Sequence, residues 1–391
     1  MKGNWAKMAL AALVLLLVAG CKGFWDAPDN GGTGTNLSGY FYVINTQNSQ
    51  IAGYAINSSG VLTAVAGSPY TLPASVLPIS AIAVSPNNNF LYASTGGGIF
   101  LYTIASDGSL TLGNSSASIS NDQAVSMQVD ATNSWLLNVS AASGYVYAIA
   151  ISPTAGTITS NTELFAKLPV STVRQVVISP DNSRLFVAMG TGGTATLPFN
   201  AASSNPLGAV STIGVAGTGG AALSVAVDPL GIPGQTTPRV FYIGETAAVS
   251  GSNSGAVRVF NFSTLTEVSG SPYASQGLAP YWILPKSRGD YVYAVNRQTS
   301  SGSTGVIAGY SIATSGSSYA LTPFGSTVNA GTNPQAMIQD STGSYLLVTN
   351  YGGTPDLSGY TFSSADGSLV SKISSATGTD PTLASAIAGL H

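Results

Sequence analysis

The sequence predicts an all-β fold, a seven-bladed β-propeller built from four-stranded antiparallel blades. One observation is a sequence segment of four short apolar runs, which is clearest at residues 81–112. A Ser-Pro-Asn-Asn turn, a Gly-rich loop and an Asp-Gly turn separate the runs. Such a pattern is typical of four antiparallel strands joined by tight turns. A second observation is that this four-strand segment is repeated along the sequence, which indicates a ring of small sheets.

The repeats are recognised most easily by their second strands. Six intervals separate Tyr42 in the first copy from Leu347 in the last, a mean period of about 51 residues, close to that of other four-stranded blades. Seven copies predict seven blades. Their second strands begin at Tyr40, Asn89, Ser134, Ser183, Pro238, Asp290 and Ser344.

The two ends of the repeat region complement each other. The first copy starts at a second strand, residues 39–45, with no first strand before it, whereas a segment resembling a first strand follows Asp380. An open ring of sheets would leave unpaired edges. We therefore expect residues 382–388 to form the inner strand of the first blade, so that the C-terminal strand closes the ring by pairing in the N-terminal blade.

The first twenty residues have the features of a signal peptide. Lys2 and Lys7 precede the apolar run of residues 8–18, which is shorter than the ~20 residues of a membrane-spanning helix. The sequence Leu-Val-Ala-Gly-Cys at residues 17–21 resembles the lipobox of bacterial lipoproteins. A buried cysteine in an ordinary apolar segment is the alternative, although Cys21 is the only cysteine and has no disulfide partner.

Three regions follow from these patterns. Residues 1–20 are predicted to be a lipoprotein signal peptide, residues 21–38 the lipidated Cys21 with a flexible tether, and residues 39–391 the propeller. The tether is rich in Gly, Thr and Asn. We expect lipid on Cys21 to hold the protein at a membrane of the bacterial cell envelope, on the extracytoplasmic side.

The composition narrows the class of partner. Only 7% of the residues are charged and 46 of the 391 are glycine, so hydroxyl and amide groups must provide most of the surface polarity. Without Lys2 and Lys7, 10 basic residues stand against 15 acidic ones. This balance, with no basic cluster, argues against a nucleic-acid partner. We expect a monomer.

Long loops mark one face of the predicted disc. Residues 244–255, 296–305 and 350–358 connect second to third strands in three consecutive blades. Loops of this kind often carry binding sites. The face is predicted to bind a protein or a neutral, carbohydrate-like ligand, and tolerated surface insertions are the alternative.

The sequence of the repeat unit resembles that of a known family of proteins. The Ser-Pro-Asp-Asn turn at residues 179–182, and the strands Tyr-Val-Ile-Asn (Tyr42), Tyr-Ala-Val-Asn (Tyr293) and Leu-Val-Thr-Asn (Leu347), resemble those of seven-bladed lactonase-type propellers. That group includes 6-phosphogluconolactonase-like proteins and YVTN-repeat surface proteins. The resemblance covers residues 39–391, and it implies lactone hydrolysis with an active site in the central channel.

The resemblance also points to a candidate catalytic residue. Enzymatic members carry Gly-Pro-Arg-His on an inner strand, where this sequence has Arg174 followed by Gln175. An amide cannot exchange protons near neutral pH as an imidazole does. The only histidine, His391, is expected at a frayed terminus. Two functions remain open: a lipid-anchored binding scaffold, or a lactone hydrolase that uses Arg174.

The candidate ligand-binding residues lie near the variable face. Lys167 and Arg174 flank one connection between blades and could meet an anionic ligand. Asp122, Glu163, Glu245, Asp356 and Asp380 could supply a carboxylate pair, or could simply be solvated loop charges. No metal or cofactor motif occurs, so neither is predicted. The complete candidate set is Lys167, Arg174, Gln175, Glu245, Arg297 and Asp356.

Overall fold

Seven small antiparallel sheets make up the computed structural model. It describes residues 37–72, 78–140, 143–160, 163–170, 172–230, 235–246, 254–298, 302, 304–315, 318–353, 355–374 and 380–391. The predicted signal peptide, Cys21 and the tether up to residue 36 lie outside the described residues, as do parts of the three long loops. Leu37 and Ser38, which we assigned to the tether, begin the first strand.

The strands follow one another with short turns. In chain order they are β1 (Leu37–Asn45), β2 (Gln50–Asn57), β3 (Leu62–Ala64), β4 (Tyr70–Thr71), β5 (Ile79–Val84), β6 (Phe90–Thr95), β7 (Gly98–Ile104), β8 (Leu110–Leu112), β9 (Ser126–Val129), β10 (Trp135–Ser140), β11 (Tyr145–Ala150), β12 (Leu164–Lys167), β13 (Gln175–Ile178), β14 (Arg184–Ala188), β15 (Thr194–Pro198), β16 (Ser211–Ile213), β17 (Ala222–Val227), β18 (Val240–Glu245), β19 (Ala256–Asn261), β20 (Tyr273–Ala274), β21 (Pro280–Pro285), β22 (Tyr291–Asn296), β23 (Thr304–Ser315), β24 (Ser318–Pro323), β25 (Val328–Thr332), β26 (Pro334–Gln339), β27 (Tyr345–Asn350), β28 (Leu357–Phe362), β29 (Leu369–Ser374) and β30 (Ala384–Gly389).

Each blade is one sheet whose strands run from the centre of the ring outwards. Blade 1 contains β30, β1, β2 and β3, and blades 2 to 7 contain β5–β8, β9–β12, β13–β16, β17–β20, β21–β24 and β26–β29. In blades 1 and 6 a further short strand, β4 or β25, pairs with the third strand. The outermost position is therefore shared by two segments in those blades. The prediction of a seven-bladed propeller is confirmed.

The ring is closed as the sequence predicted. β30 pairs antiparallel with β1, with Val43 opposite Ile387 and Asn45 opposite Ala384. The seven inner strands contact one another in a complete circle, with β30 between β26 and β5. The closing strand spans Ala384–Gly389 rather than residues 382–388.

The core lies between the blades. The second strands are apolar on both faces, and every residue of β10 and β27 is buried, because each sheet packs against a neighbour on either side. One cluster joins Leu137 and Val139 of blade 3 to Leu185 and Val187 of blade 4. The stability of a blade therefore depends on its neighbours.

Within the described ranges, no helix has the length and apolarity of a membrane span.

Candidate functional site

Several inner strands bring polar residues to one mouth of the central channel. The inner strands all run in the same sense, so their first residues lie at one face of the ring, here called the upper face. The second strands run in the opposite sense and end there. Arg174 precedes β13, Tyr281 and Gln335 are the second residues of β21 and β26, and Arg297 follows β22. The fold thus places all four at the upper channel mouth.

These four residues, called the arginine cluster below, are in contact. Arg297 Cζ lies 3.2 Å from the centroid of the Tyr281 ring. Arg174 Cζ lies 5.8 Å from the same centroid, and its Nη1 donates a hydrogen bond to Tyr281 Oη across 3.3 Å. Arg297 Nη2 also donates to Gln335 Oε1. One aromatic ring therefore holds guanidinium groups from two different blades.

The electrostatics of the arginine cluster favour an anion. Burial lowers the pKa of Arg297, and the positive charge of Arg174 lowers it further, while Tyr281 opposes the shift. An arginine nevertheless stays protonated. Arg297 Nε is buried without a hydrogen-bond partner. In the described part of the chain, the ion pairs use Arg239 and Arg258 and involve neither cluster arginine.

Gln175, which the resemblance places where enzymatic members have a histidine, connects two blades. It is 7% exposed, and its Oε1 accepts a hydrogen bond from the Val225 amide across 2.9 Å. Gln128 makes the equivalent bond to the Ile178 amide between blades 3 and 4. The Gln175 amide therefore joins the inner strands of blades 4 and 5, and its carbonyl oxygen is already used.

Lys167 is not brought to the channel. It is the last residue of β12, the outermost strand of blade 3, whereas Arg174 precedes the innermost strand of blade 4. Lys167 lines an open pocket of about 310 Å³ with Leu168 and Val210. The two cations flank one connection between blades, as predicted, but at its opposite ends.

Glu245 and Asp356 are buried, and the interpretation of them as solvated loop charges is wrong. Glu245 is fully buried and accepts hydrogen bonds from Arg258 Nη1 and the Ala216 amide, both across 2.9 Å. Arg258 also pairs with Glu267 across 2.7 Å. This network satisfies the Glu245 carboxylate with groups from blade 5 and from the connection that leads into it from blade 4.

Asp356 holds the segment that leads into the closing strand, β30. Its carboxylate accepts hydrogen bonds from the amides of Leu383, across 2.7 Å, and of Gly352, across 3.1 Å. Asp380 in turn accepts from the Asp356 amide across 2.9 Å. Burial raises the pKa of Asp356, although these backbone bonds oppose the shift. The two aspartates fix the chain before β30.

His391 lies at the other end of the channel. Its amide donates to Asn88 Oδ1 across 2.8 Å, and Asn88 Nδ2 donates to the His391 carbonyl across 3.1 Å. The expectation of a frayed terminus is wrong, because the turn of blade 2 holds this residue. That turn follows the end of an inner strand, so His391 is at the face opposite the arginine cluster.

Sequence reasoning missed Tyr281 and Gln335. Each follows a proline that begins an inner strand, Pro280 or Pro334, and these prolines are paired with Asn296 and Asn350. An alignment of inner strands would have placed both side chains at the channel mouth. Among the described residues, no three His, Cys, Asp or Glu side chains meet in a group suited to a metal ion.

Comparisons with known proteins agree with this architecture. The sequence profile of the family "Lactonase, 7-bladed beta-propeller" matches residues 35–178 and 240–383. Among curated proteins none matches. A candidate 6-phosphogluconolactonase of Bacteroides fragilis shares 15% identity at a TM-score of 0.68, over 93% of this chain and 100% of that one.

A second solved structure is similar over almost the same length. The periplasmic gluconolactonase of Pseudomonas aeruginosa shares 15% identity at a TM-score of 0.63, over 90% of this chain and 99% of its own. At this identity the structures establish the shared fold alone, whereas the family profile covers more than half of the sequence. The chain therefore belongs to the seven-bladed β-propeller lactonase family.

Proposed function

We propose that this propeller is a binding protein of the cell envelope that holds a small molecule bearing a carboxylate or phosphate group. The observation that carries the proposal is the arginine cluster. Arg174 and Arg297 both contact Tyr281 at the upper channel mouth, and neither takes part in an ion pair with a described carboxylate. An anion there would neutralise two charges that otherwise repel each other.

The geometry supports a small ligand. Guanidinium groups from blades 4 and 6 lie with their Cζ atoms 5.8 and 3.2 Å from the centroid of one ring, that of Tyr281, so a single small anion could meet both. Arg297 Nε is a buried donor without a partner, and an oxygen of the ligand would satisfy it. Flat guanidinium groups also match carboxylate and phosphate in geometry.

The cellular setting is also a proposal. The lipobox-like sequence ending at Cys21 supports attachment through lipid, with the propeller on the extracytoplasmic side. The likeness to a periplasmic protein agrees with that setting. A sugar acid or sugar phosphate of the envelope would be a suitable ligand class.

A titration of the full chain in detergent tests the proposal, with gluconate and 6-phosphogluconate as probes and glucose as the neutral comparison. Arg174→Ala and Arg297→Ala should each weaken binding of the anions by about 2 kcal/mol, or roughly thirtyfold. Arg288→Ala is the matched control, since Arg288 is an exposed arginine of the blade 6 turn at the lower face. Equal binding of glucose, or anion binding unchanged in both variants, would contradict the proposal.

Lactone hydrolysis is the second candidate function. It is supported by the location of Arg174 before β13 at the channel mouth, where the resemblance of the sequence implies the arginine of the enzymatic members. In a hydrolase the cluster would orient an acidic lactone by its carboxylate or phosphate. A base would still be required, and Gln175, with its carbonyl oxygen bonded to Val225, does not supply one.

A further inference from the structure

Blade 3 carries an aromatic patch on its two outer strands, whereas the arginine cluster lies at the channel mouth. Tyr145 and Tyr147 of β11 and Phe165 of β12 contact one another, with ring centroids 5.1 Å apart for Tyr145 and Phe165 and 6.0 Å for the two tyrosines. Phe165 is 59% exposed, and it is the only aromatic side chain in the described ranges that is exposed to this degree. A group of rings facing solvent suggests a contact with another molecule.

Two carboxylates accompany these rings. Glu163 is exposed two residues before Phe165, and Asp122 is partly buried and accepts a hydrogen bond from Asn138 Nδ2 across 3.0 Å. Burial raises the pKa of Glu163, and the negative charge of Asp122 raises it further. Lys167, opposite Tyr145 in the register, adds one ammonium group.

Asn138 distinguishes blade 3 from the other blades. It is fully buried, it lies opposite Tyr147 in the sheet, and its Oδ1 has no hydrogen-bond partner. An unpaired buried oxygen is unfavourable, and such groups often indicate a water or ligand. The same register position in the six other blades is apolar, with Val43, Ala93, Val187, Ile243, Ala294 and Val348.

We propose that the aromatic patch, with Asp122 and Glu163 beside it, binds a neutral saccharide. The C–H groups on one face of a pyranose ring pack on aromatic faces, and its hydroxyl groups donate to carboxylates. Asn138 positions Asp122 through its Nδ2 and leaves Oδ1 for a water or a hydroxyl at the base of the site. The excess of negative charge disfavours acidic glycans and anionic lipid surfaces. The site is independent of the arginine cluster and of the function proposed for it.

Calorimetry on the full chain in detergent tests this, with maltohexaose, cellohexaose and chitohexaose as probes and a hyaluronan hexasaccharide as the acidic comparison. At least one neutral probe should bind. Phe165→Ala and Asp122→Asn should each weaken that binding about tenfold, and Arg174→Ala should leave it unchanged. The matched control is Val370→Ala, since Val370 is 65% exposed on β29, the outermost strand of blade 7.

The Asn138→Val variant tests whether Asn138 positions Asp122 for binding or only stabilises the fold. Valine is found at this place in three other blades, so the variant should melt at the same temperature as the wild type or higher, while its saccharide affinity falls. The proposal is overturned if none of the neutral probes binds to folded protein, or if binding survives in a Tyr145→Ala, Phe165→Ala double variant. Equally tight binding of the hyaluronan fragment would overturn the assignment to neutral saccharides.

Discussion

The hydroxyl of Tyr42 in blade 1 donates a hydrogen bond to the carbonyl of Gly108 in blade 2 across 2.7 Å. The same link recurs from Tyr92 to Gly156, across 2.9 Å, and from Tyr293 to Gly367, across 2.5 Å. Each acceptor is a glycine of positive φ in the turn after the third strand. The tyrosine of the repeat and the turn of the next repeat are therefore parts of one contact between blades.

Tyr42→Phe should lower the free energy of unfolding by about 1 kcal/mol, because it removes one buried hydrogen bond and leaves the ring in place. Chemical denaturation followed by tyrosine and tryptophan fluorescence would measure the loss. Tyr40→Phe is the control, since its hydroxyl takes no part in the bond to Gly108. A Tyr42→Phe variant as stable as that control would contradict the role given to the hydroxyl.

Gly108→Ala should destabilise the protein more than Tyr42→Phe. A Cβ at this position would clash with the Tyr40 ring, and the φ of +78° is unfavourable for alanine. Thermal melting compares the two variants directly. Among the described residues, none has an atom within 4 Å of a Cβ added at Gly302, so Gly302→Ala is the matched control and should melt like the wild type.

Deletion of residues 380–391 should cause aggregation or a large fall in the melting temperature. The deletion removes β30 and exposes the paired edge of β1. Removal of His391 alone is the control, because it leaves β30 intact. If the longer deletion melts at the same temperature as the full chain, ring closure by β30 does not contribute to stability.

Lactone hydrolysis gives a sharp test of Arg174. If the wild type hydrolyses 6-phosphogluconolactone, Arg174→Ala should lower kcat/KM. The fall should correspond to a loss of about 2–4 kcal/mol of transition-state stabilisation, since a charged bidentate contact is lost. Arg288→Ala should be without effect. We expect no measurable hydrolysis by the wild type, because the residue after Arg174 is Gln175, an amide that cannot act as a general base and whose carbonyl oxygen is bonded to the Val225 amide. Hydrolysis that is abolished by Arg174→Ala in a folded variant would reverse that expectation.

The network around Arg258 should make stability depend on pH. Burial alone would raise the pKa of Glu267, but the hydrogen bonds from Arg258 and Ser271 outweigh it and lower the pKa below that of an ordinary glutamate. A carboxyl with a lowered pKa in the folded state stabilises above its unfolded pKa and loses that contribution as the pH falls through the folded value. The wild type should therefore melt higher than Glu267→Gln at neutral pH, and the difference should shrink in acid. A difference that stays constant down to about pH 3 would contradict this.

Much of the fold could be predicted from the sequence because each repeat unit of the sequence corresponds to one blade. The period fixes the number of blades, and the absence of a first strand before the second strand at Gly39 predicts the pairing that β30 makes. The same reasoning failed for Glu245 and Asp356, since charge near a predicted loop says nothing about burial. Their partners, Arg258 and the amide of Leu383, are revealed only by the folded chain.

The candidate site was predictable only in part. Arg174 and Arg297 were chosen from position, but the residue that brings them together, Tyr281, comes from a third point in the sequence. Contacts across the channel depend on the ring radius and on the twist between blades, and neither can be read from a repeat period. The aromatic patch was hidden for a related reason, because Tyr147 and Phe165 become neighbours only through the register of β11 and β12.

The pairing of β30 with β1 also bears on how the protein folds. Thr46 and Ser385, whose hydroxyls are 2.8 Å apart beside this joint, are separated by 339 residues in the sequence. Every other blade forms from segments that are close in the sequence. The pairing of β30 with β1 joins the residues that are farthest apart in the sequence, so we expect it to form last. Until it forms, β1 presents a free edge that can accept the last strand of another copy. The joint that completes the ring is therefore also the place where two unfinished chains would exchange strands in a domain swap.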